Sequence, residues 1–97
     1  MTQDSFQTLI VEDDDDQRLL LKRILQSRGH EVVACGAAEE GLLAYQRDLF
    51  PLVILDVMLP GMNGMELCRE MRLVPESSQT VILFATGMEG REGLEEA

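Results

Sequence analysis

The stretch that most limits what this chain can fold into runs from residue 52 to residue 64, Leu-Val-Ile-Leu-Asp-Val-Met-Leu-Pro-Gly-Met-Asn-Gly. Its first four residues form a short apolar run without polar alternation, the pattern of a strand covered on both faces. Asp56 ends the run, and Pro60, Gly61, Asn63 and Gly64 then punctuate a loop. A carboxylate in that place is either an edge residue of no consequence or a reactive group held at the mouth of a sheet. In open α/β sheets that mouth, outside the carboxyl ends of the strands, is where ligands bind. Two further runs decide between these. Residues 8–11 stop at Glu12 and Asp13, and residues 81–85 stop at Thr86 and Gly87. If the three strands are parallel neighbours, an acidic pair, a lone Asp and a hydroxyl beside a glycine converge on one pocket.

The segments between these runs carry helical spacing. A helix starts within residues 14–17, where acidic residues supply a cap and complement the helix dipole. Leu20, Leu21, Ile24 and Leu25 share one of its faces, and Gly29 is a natural terminator. Residues 31–35, with the β-branched pair Val32 and Val33, read as a second strand. A second helix, over about 38–48, turns Ala38, Leu42, Tyr45 and Leu49 toward the sheet; it lacks a strong N-cap and is closed by Pro51. A third opens near Gly64 and presents Leu67, Cys68 and Met71 before Pro75 forbids continuation. Residues 75–79 read as a polar loop, and residues 88–97 as the opening of a fourth helix. This alternation of strand and helix argues a single α/β domain with a parallel sheet and right-handed crossovers.

Composition narrows the function classes. Ninety-seven residues make one domain, near the small end for an α/β sheet. With no Trp, the core must be aliphatic, and six Met serve as adaptable filler. The net charge of -10 argues against nucleic acid, whose phosphates need clustered Lys and Arg. It suits a protein that handles a cation or docks on a basic surface. Cys35 and Cys68 lie far apart without His partners and read as buried thiols in a reducing compartment, neither zinc ligands nor a disulfide. No apolar run reaches the ~18 residues of a membrane span, and no basic-then-apolar leader opens the chain. The cytoplasm is therefore the expected location, with no membrane contact. There is no G-x-x-x-x-G-K-[ST] phosphate loop, and the acidic run lacks the Gly and terminal Glu of an EF-hand.

Glu12 and Asp13 after the first strand, Asp56-x-x-Leu59-Pro60-x-x-Asn63-Gly64 after the third, and Thr86-Gly87 after the fourth together resemble the receiver domain of bacterial two-component response regulators. The resemblance covers essentially the whole chain. It implies a flavodoxin-like, doubly wound sheet of order 2-1-3-4-5, which sets the Asp13 and Asp56 strands side by side at the switch point. It also implies a phosphoacceptor signalling domain, whose products are conformational states, and not an enzyme in the ordinary sense. A sensor histidine kinase or phosphotransfer protein would pass a phosphoryl group to Asp56.

A divalent cation makes that transfer feasible, because a lone carboxylate and a phosphoryl group repel. Mg²⁺ (or Mn²⁺) prefers oxygen ligands and takes one or two carboxylates directly. Asp13 and Asp56 would be those two, with Glu12 binding directly or through water. The resemblance adds the backbone carbonyl of Met58. Without a cation, carboxylates so crowded raise one another's pKa. The Thr86 hydroxyl would bond a phosphoryl oxygen, and Gly87 would let its N–H approach. Asp14, Asp15 and Asp16 read as a solvated cap, and His30, the only His, as a turn residue.

The chain departs from the family in one respect. Receiver domains have a fifth strand ending in a Lys, then a fifth helix, and the only Lys here is Lys22, in the first helix. Residues 1–97 thus read as a single receiver domain incomplete at its C-terminus, with sheet order 2-1-3-4. Two expectations follow. The fourth strand would be an apolar edge prone to self-association. The missing Lys also keeps open a rival reading, a receiver-like interaction module that is not phosphorylated.

Overall fold

A computed structural model describes residues 6–85 and the backbone of residues 94–96. Four strands, β1 (Gln7–Val11), β2 (Glu31–Cys35), β3 (Leu52–Asp56) and β4 (Val81–Ala85), lie parallel in the order β2-β1-β3-β4. Three helices, α1 (Asp15–Ser27), α2 (Ala38–Arg47) and α3 (Gly64–Arg72), form the connections. The expected flavodoxin-like order is therefore observed. Register makes it consequential: Val11 lies opposite both Cys35 and Leu55, and Asp56 opposite Ala85. The chain thus leaves β1 and β3 at one level and on one edge of the sheet.

The core is mainly aliphatic, but three of the four aromatics, Tyr45, Phe50 and Phe84, are also buried in it. Leu9, Val11, Val53, Leu55, Ile82 and Phe84 of the strands pack with Ala38 and Tyr45 of α2 and with Leu67 and Met71 of α3. Gly41 lets α2 approach closely, since a Cβ there would lie 2.5 Å from Val11 Cγ2. Asp14 caps α1 by accepting from the Gln17 N–H (2.9 Å), and Gly29, with φ at +92°, follows the helix end. The start of α2 has no side-chain cap, as its sequence suggested.

Several expectations need correction. Leu20 and Ile24 remain 55% and 44% exposed, and no residue of α1 is fully buried. This helix contacts β1 and the edge strand β2, so Leu21 and Leu25 are half-buried while the adjoining flank overhangs. Leu49 is exposed because α2 ends at Arg47 and the backbone of Asp48 is extended; Phe50 turns inward instead. Residues 75–79 are more than a polar loop. They contain a 3₁₀ turn (Ser77–Gln79), and both Ser77 and Thr80 are buried. The two cysteines are free, as expected, but only half-buried.

The largest correction concerns residues 88–97. Part of that segment forms a short strand, β5 (Leu94–Glu96), antiparallel to β4, with Leu83, Phe84 and Ala85 opposite Glu96, Glu95 and Leu94. The expected helix opening and the expected bare edge of β4 both fail there. Eight residues separate β4 from β5. That is enough for an antiparallel return but short of the dozen or more that a parallel crossover needs.

Candidate functional site

The site is assembled where β1 and β3 end. Glu12 extends the β1 ladder by one bond, its N–H donating to the Cys35 carbonyl (3.0 Å). Glu12 as a residue is only 6% exposed, and its Oε2 accepts from the Asp14 N–H (3.1 Å). Asp13 follows on the exposed rim. Asp56 closes β3 half-buried, and its Oδ1 accepts from the Met58 N–H (3.0 Å), which fixes the orientation of the carboxylate.

The loop after Asp56 is held from both sides. Leu59 is buried beneath it. Beyond it, Asn63 and Glu66 form a reciprocal cap: Asn63 Oδ1 accepts from the Glu66 N–H (2.9 Å) and Glu66 Oε1 from the Asn63 N–H (3.1 Å). That cap places Gly64 directly against the end of β3, where its N–H donates to the Val57 carbonyl (2.9 Å). A Cβ on Gly64 would collide with the Asp56 carbonyl oxygen and lie 2.9 Å from Val57 Cα. The Asn-Gly pair therefore seats α3 on the backbone of Asp56 itself. Sequence reading took Gly64 as turn punctuation and missed this contact.

Glu12, Asp13 and Asp56 each bring a carboxylate oxygen within 4.8 Å of the other two. Burial, first of all, pushes the Glu12 carboxyl up from 4.5 to about 7; the Asp14 N–H opposes the rise, and the charge of Asp56, a hydrogen bond to it and the charge of Asp13 add to it. Three crowded, hard oxygen donors at a half-open sheet edge fit a divalent cation such as Mg²⁺. A cation there would offset the repulsion that burial magnifies.

The remaining candidates separate cleanly. Met58 is in place two residues after Asp56 and is 76% exposed, and its N–H is the group that bonds Asp56. Thr86 and Gly87 lie outside the described residues. Asp14 is the cap of α1, Asp15 pairs with Arg18 (2.6 Å), and Asp16 is exposed, in keeping with their reading as a solvated first turn. His30 sits at the far end of the strands, its Nδ1 2.8 Å from Thr8 Oγ1, and takes no part in the site. Arg18 was not singled out in the sequence, yet its Nη1 donates to the Glu12 carbonyl (2.9 Å). Its only sequence signal is a cation one turn into the helix that follows the acidic pair.

Comparison with known proteins agrees with this geometry. The profile of the response regulator receiver domain family matches residues 8–97. The regulatory protein VanRB of Enterococcus faecalis is 40% identical over 88 residues, covering 91% of this chain and 39% of its own. The transcriptional regulatory protein AfsQ1 of Streptomyces coelicolor is 42% identical over 64 residues, 66% of this chain and 28% of its own. This chain thus spans well under half the length of either relative. Among solved structures, the chemotaxis response regulator CheY4 of Vibrio cholerae superposes with a TM-score of 0.81 at 30% identity, over 84% of this chain and 68% of that one. The receiver domain of the sensor histidine kinase PA1611 of Pseudomonas aeruginosa, solved with a magnesium ion in its active site cleft, is alike in fold (TM-score 0.80, 21% identity, 90% and 73% covered). The chain belongs to the receiver domain family of two-component response regulators.

Proposed function

We propose that Asp56 takes a phosphoryl group from a phosphohistidine of a sensor kinase or phosphotransfer protein. The P–N bond of the donor breaks as a P–O bond to the Asp56 carboxylate forms, and the imidazole leaves with the electron pair. Water later cleaves the acyl phosphate and releases inorganic phosphate. The observation that carries this reading is the triad of carboxylates within 4.8 Å at the ends of β1 and β3. A resident Mg²⁺ (or Mn²⁺), held by Asp13, Asp56, Glu12 and the Met58 carbonyl, would neutralise charge shared by the carboxylate and the phosphoryl oxygens.

The chain's own groups have distinct parts in this. The Met58 N–H orients the Asp56 carboxylate. Glu12 stays close but recessed, where burial favours its protonated form until a cation arrives. Thr86 would donate its hydroxyl, and Gly87 its N–H, to the phosphoryl group. What supports those two is register: they directly follow Ala85, which pairs with Asp56 across the sheet. The reading also places the domain in the cytoplasm, as a regulatory switch that gains and loses its own phosphoryl group rather than a classical enzyme. Among the described residues no helix is long and apolar enough to cross a membrane.

The test is incubation with acetyl phosphate and Mg²⁺, followed by intact-mass measurement. Wild type should gain one phosphoryl increment, and Asp56→Asn none. No increment in wild type would return the chain to the rival reading, an interaction module that is not phosphorylated.

A further inference from the structure

Arg18 is the one described cation whose guanidinium reaches the acidic turn. It lies on the first turns of α1, and its side chain is 25% exposed. Nη1 donates to the Glu12 carbonyl (2.9 Å), while Nη2 is tied to Asp15 Oδ1 (2.6 Å). The carbonyl it holds belongs to the peptide unit that joins Glu12 to Asp13. Fixing that peptide plane fixes how both side chains leave the backbone. A Cβ on Gly36, just past β2, would come within 3.1 Å of Nη1, so an alanine there displaces the guanidinium by a few tenths of an ångström.

We propose that Arg18 is a positioning residue for the cation site: it clamps the Glu12–Asp13 peptide so that both carboxylates face Asp56. The inference rests on the reading of that triad as a divalent cation site. It predicts an outcome opposite in sign to simple electrostatics. A positive guanidinium beside an acidic cluster repels a cation, so a purely electrostatic role means that removing Arg18 tightens binding. A clamp means that removing it loosens binding, because outer partners that orient metal ligands are commonly worth about 10–100-fold in affinity.

The experiment is calorimetric titration of the 97-residue chain with Mg²⁺ alone. Wild type and Asp13→Asn set the scale, and Arg18→Met, Arg18→Lys and Gly36→Ala test the clamp. Arg18→Met should bind about tenfold more weakly. Arg18→Lys, which keeps the charge and one donor without the fork, should recover part of the loss. Gly36→Ala keeps the charge but crowds Nη1, and should weaken binding as well. Circular dichroism identifies any variant that fails to fold, and the amide ¹⁵N shift of Asp13, whose peptide carbonyl Arg18 holds, should move in Arg18→Met without Mg²⁺. Equal or tighter binding by folded Arg18→Met overturns the proposal while leaving the cation site intact. Loss of binding with no dependence on Asp13 in the controls would overturn both.

Discussion

The two ends of the sheet bury polar groups in opposite ways. At the end where β3 and β4 begin, Thr80 is 3% exposed, accepts from the Tyr45 hydroxyl (2.7 Å) and donates to the Phe50 carbonyl (2.7 Å). Beside it Arg72 donates to the Thr80 carbonyl (3.0 Å), and the buried Ser77 hydroxyl donates to the Arg72 carbonyl (3.1 Å). There each buried polar side chain has a neutral or opposite partner. At the end where β1 and β3 finish, Glu12 is almost as buried, yet two more carboxylates face it. Buried polar groups are ordinarily satisfied because leaving them unpaired is costly. The first end obeys that rule, since Thr80 and Ser77 are both hydrogen-bonded. The second keeps three carboxylates together, a repulsion that protonation of Glu12 or a bound cation relieves, and we therefore read it as the functional end.

Changes that touch both ends at once, or one alone, sharpen the contrast. The largest effect is expected from Gly64→Ala, which drives a Cβ into the backbone of Asp56 and Val57. Overpacking against backbone costs about 1–3 kcal/mol or more. It should lower both thermal stability and Mg²⁺ affinity, read by calorimetry on the same sample. Thr80→Val comes next. It leaves the Tyr45 hydroxyl and the Phe50 carbonyl without their partner, at about 1–3 kcal/mol, or several degrees of Tm for a domain this size. Mg²⁺ affinity should be unchanged, because the lesion lies at the other end of the sheet. A parallel fall in affinity would break the separation of roles.

Glu12→Gln tests the charge argument through pH. With its folded pKa raised from 4.5 to about 7, Glu12 binds its proton more tightly in the native state than in the unfolded chain. Its favourable contribution is complete below about 4.5 and is lost as pH rises through about 7. Metal-free wild type should therefore lose stability across that window, and Glu12→Gln should not. At pH 8 without metal the variant should be the more stable, by on the order of 1 kcal/mol; Mg²⁺ should reverse the ranking. Chemical denaturation at several pH values reads both. The smallest effect is expected from Asp15→Asn. Its ion pair to Arg18 is exposed on the Asp side, and such pairs contribute about 0.2–1 kcal/mol. Its loss of Mg²⁺ affinity should be far below that of Asp13→Asn, and equal losses would contradict the placement of Asp15 outside the ligand set.

Much of this was legible in the sequence, for a definite reason. Buried parallel strands leave uninterrupted apolar runs, and the residue that ends each run is the one presented at the sheet's edge. Residues 8–11, 52–55 and 81–85 thus announced the strands, and Glu12, Asp13 and Asp56 announced the site. What stayed hidden depends on contacts that the chain makes only once its loops and helices are folded against one another. The contact of Gly64 with Asp56, of Gly41 with Val11, and of Arg18 with the Glu12 carbonyl leaves no periodic trace. Ser77 and Thr80 read as loop because hydroxyls are polar in any table, and their burial follows from partners on α2 and α3. The return of residues 94–96 onto β4 was missed because a Gly- and Glu-rich segment shows neither strand alternation nor a clear helix start.

Reactivity at the crowded end of the sheet is expected at one atom group, the Asp56 carboxylate. It is tested most directly by locating the phosphoryl group. The chain is treated with acetyl phosphate and Mg²⁺, reduced with borohydride, digested and sequenced by mass spectrometry. Reduction of an acyl phosphate on Asp yields homoserine, so homoserine should appear at position 56, only when Mg²⁺ was present, and not in Asp13→Asn. Homoserine at position 13, or at 56 regardless of Mg²⁺ and of Asp13, would contradict the account.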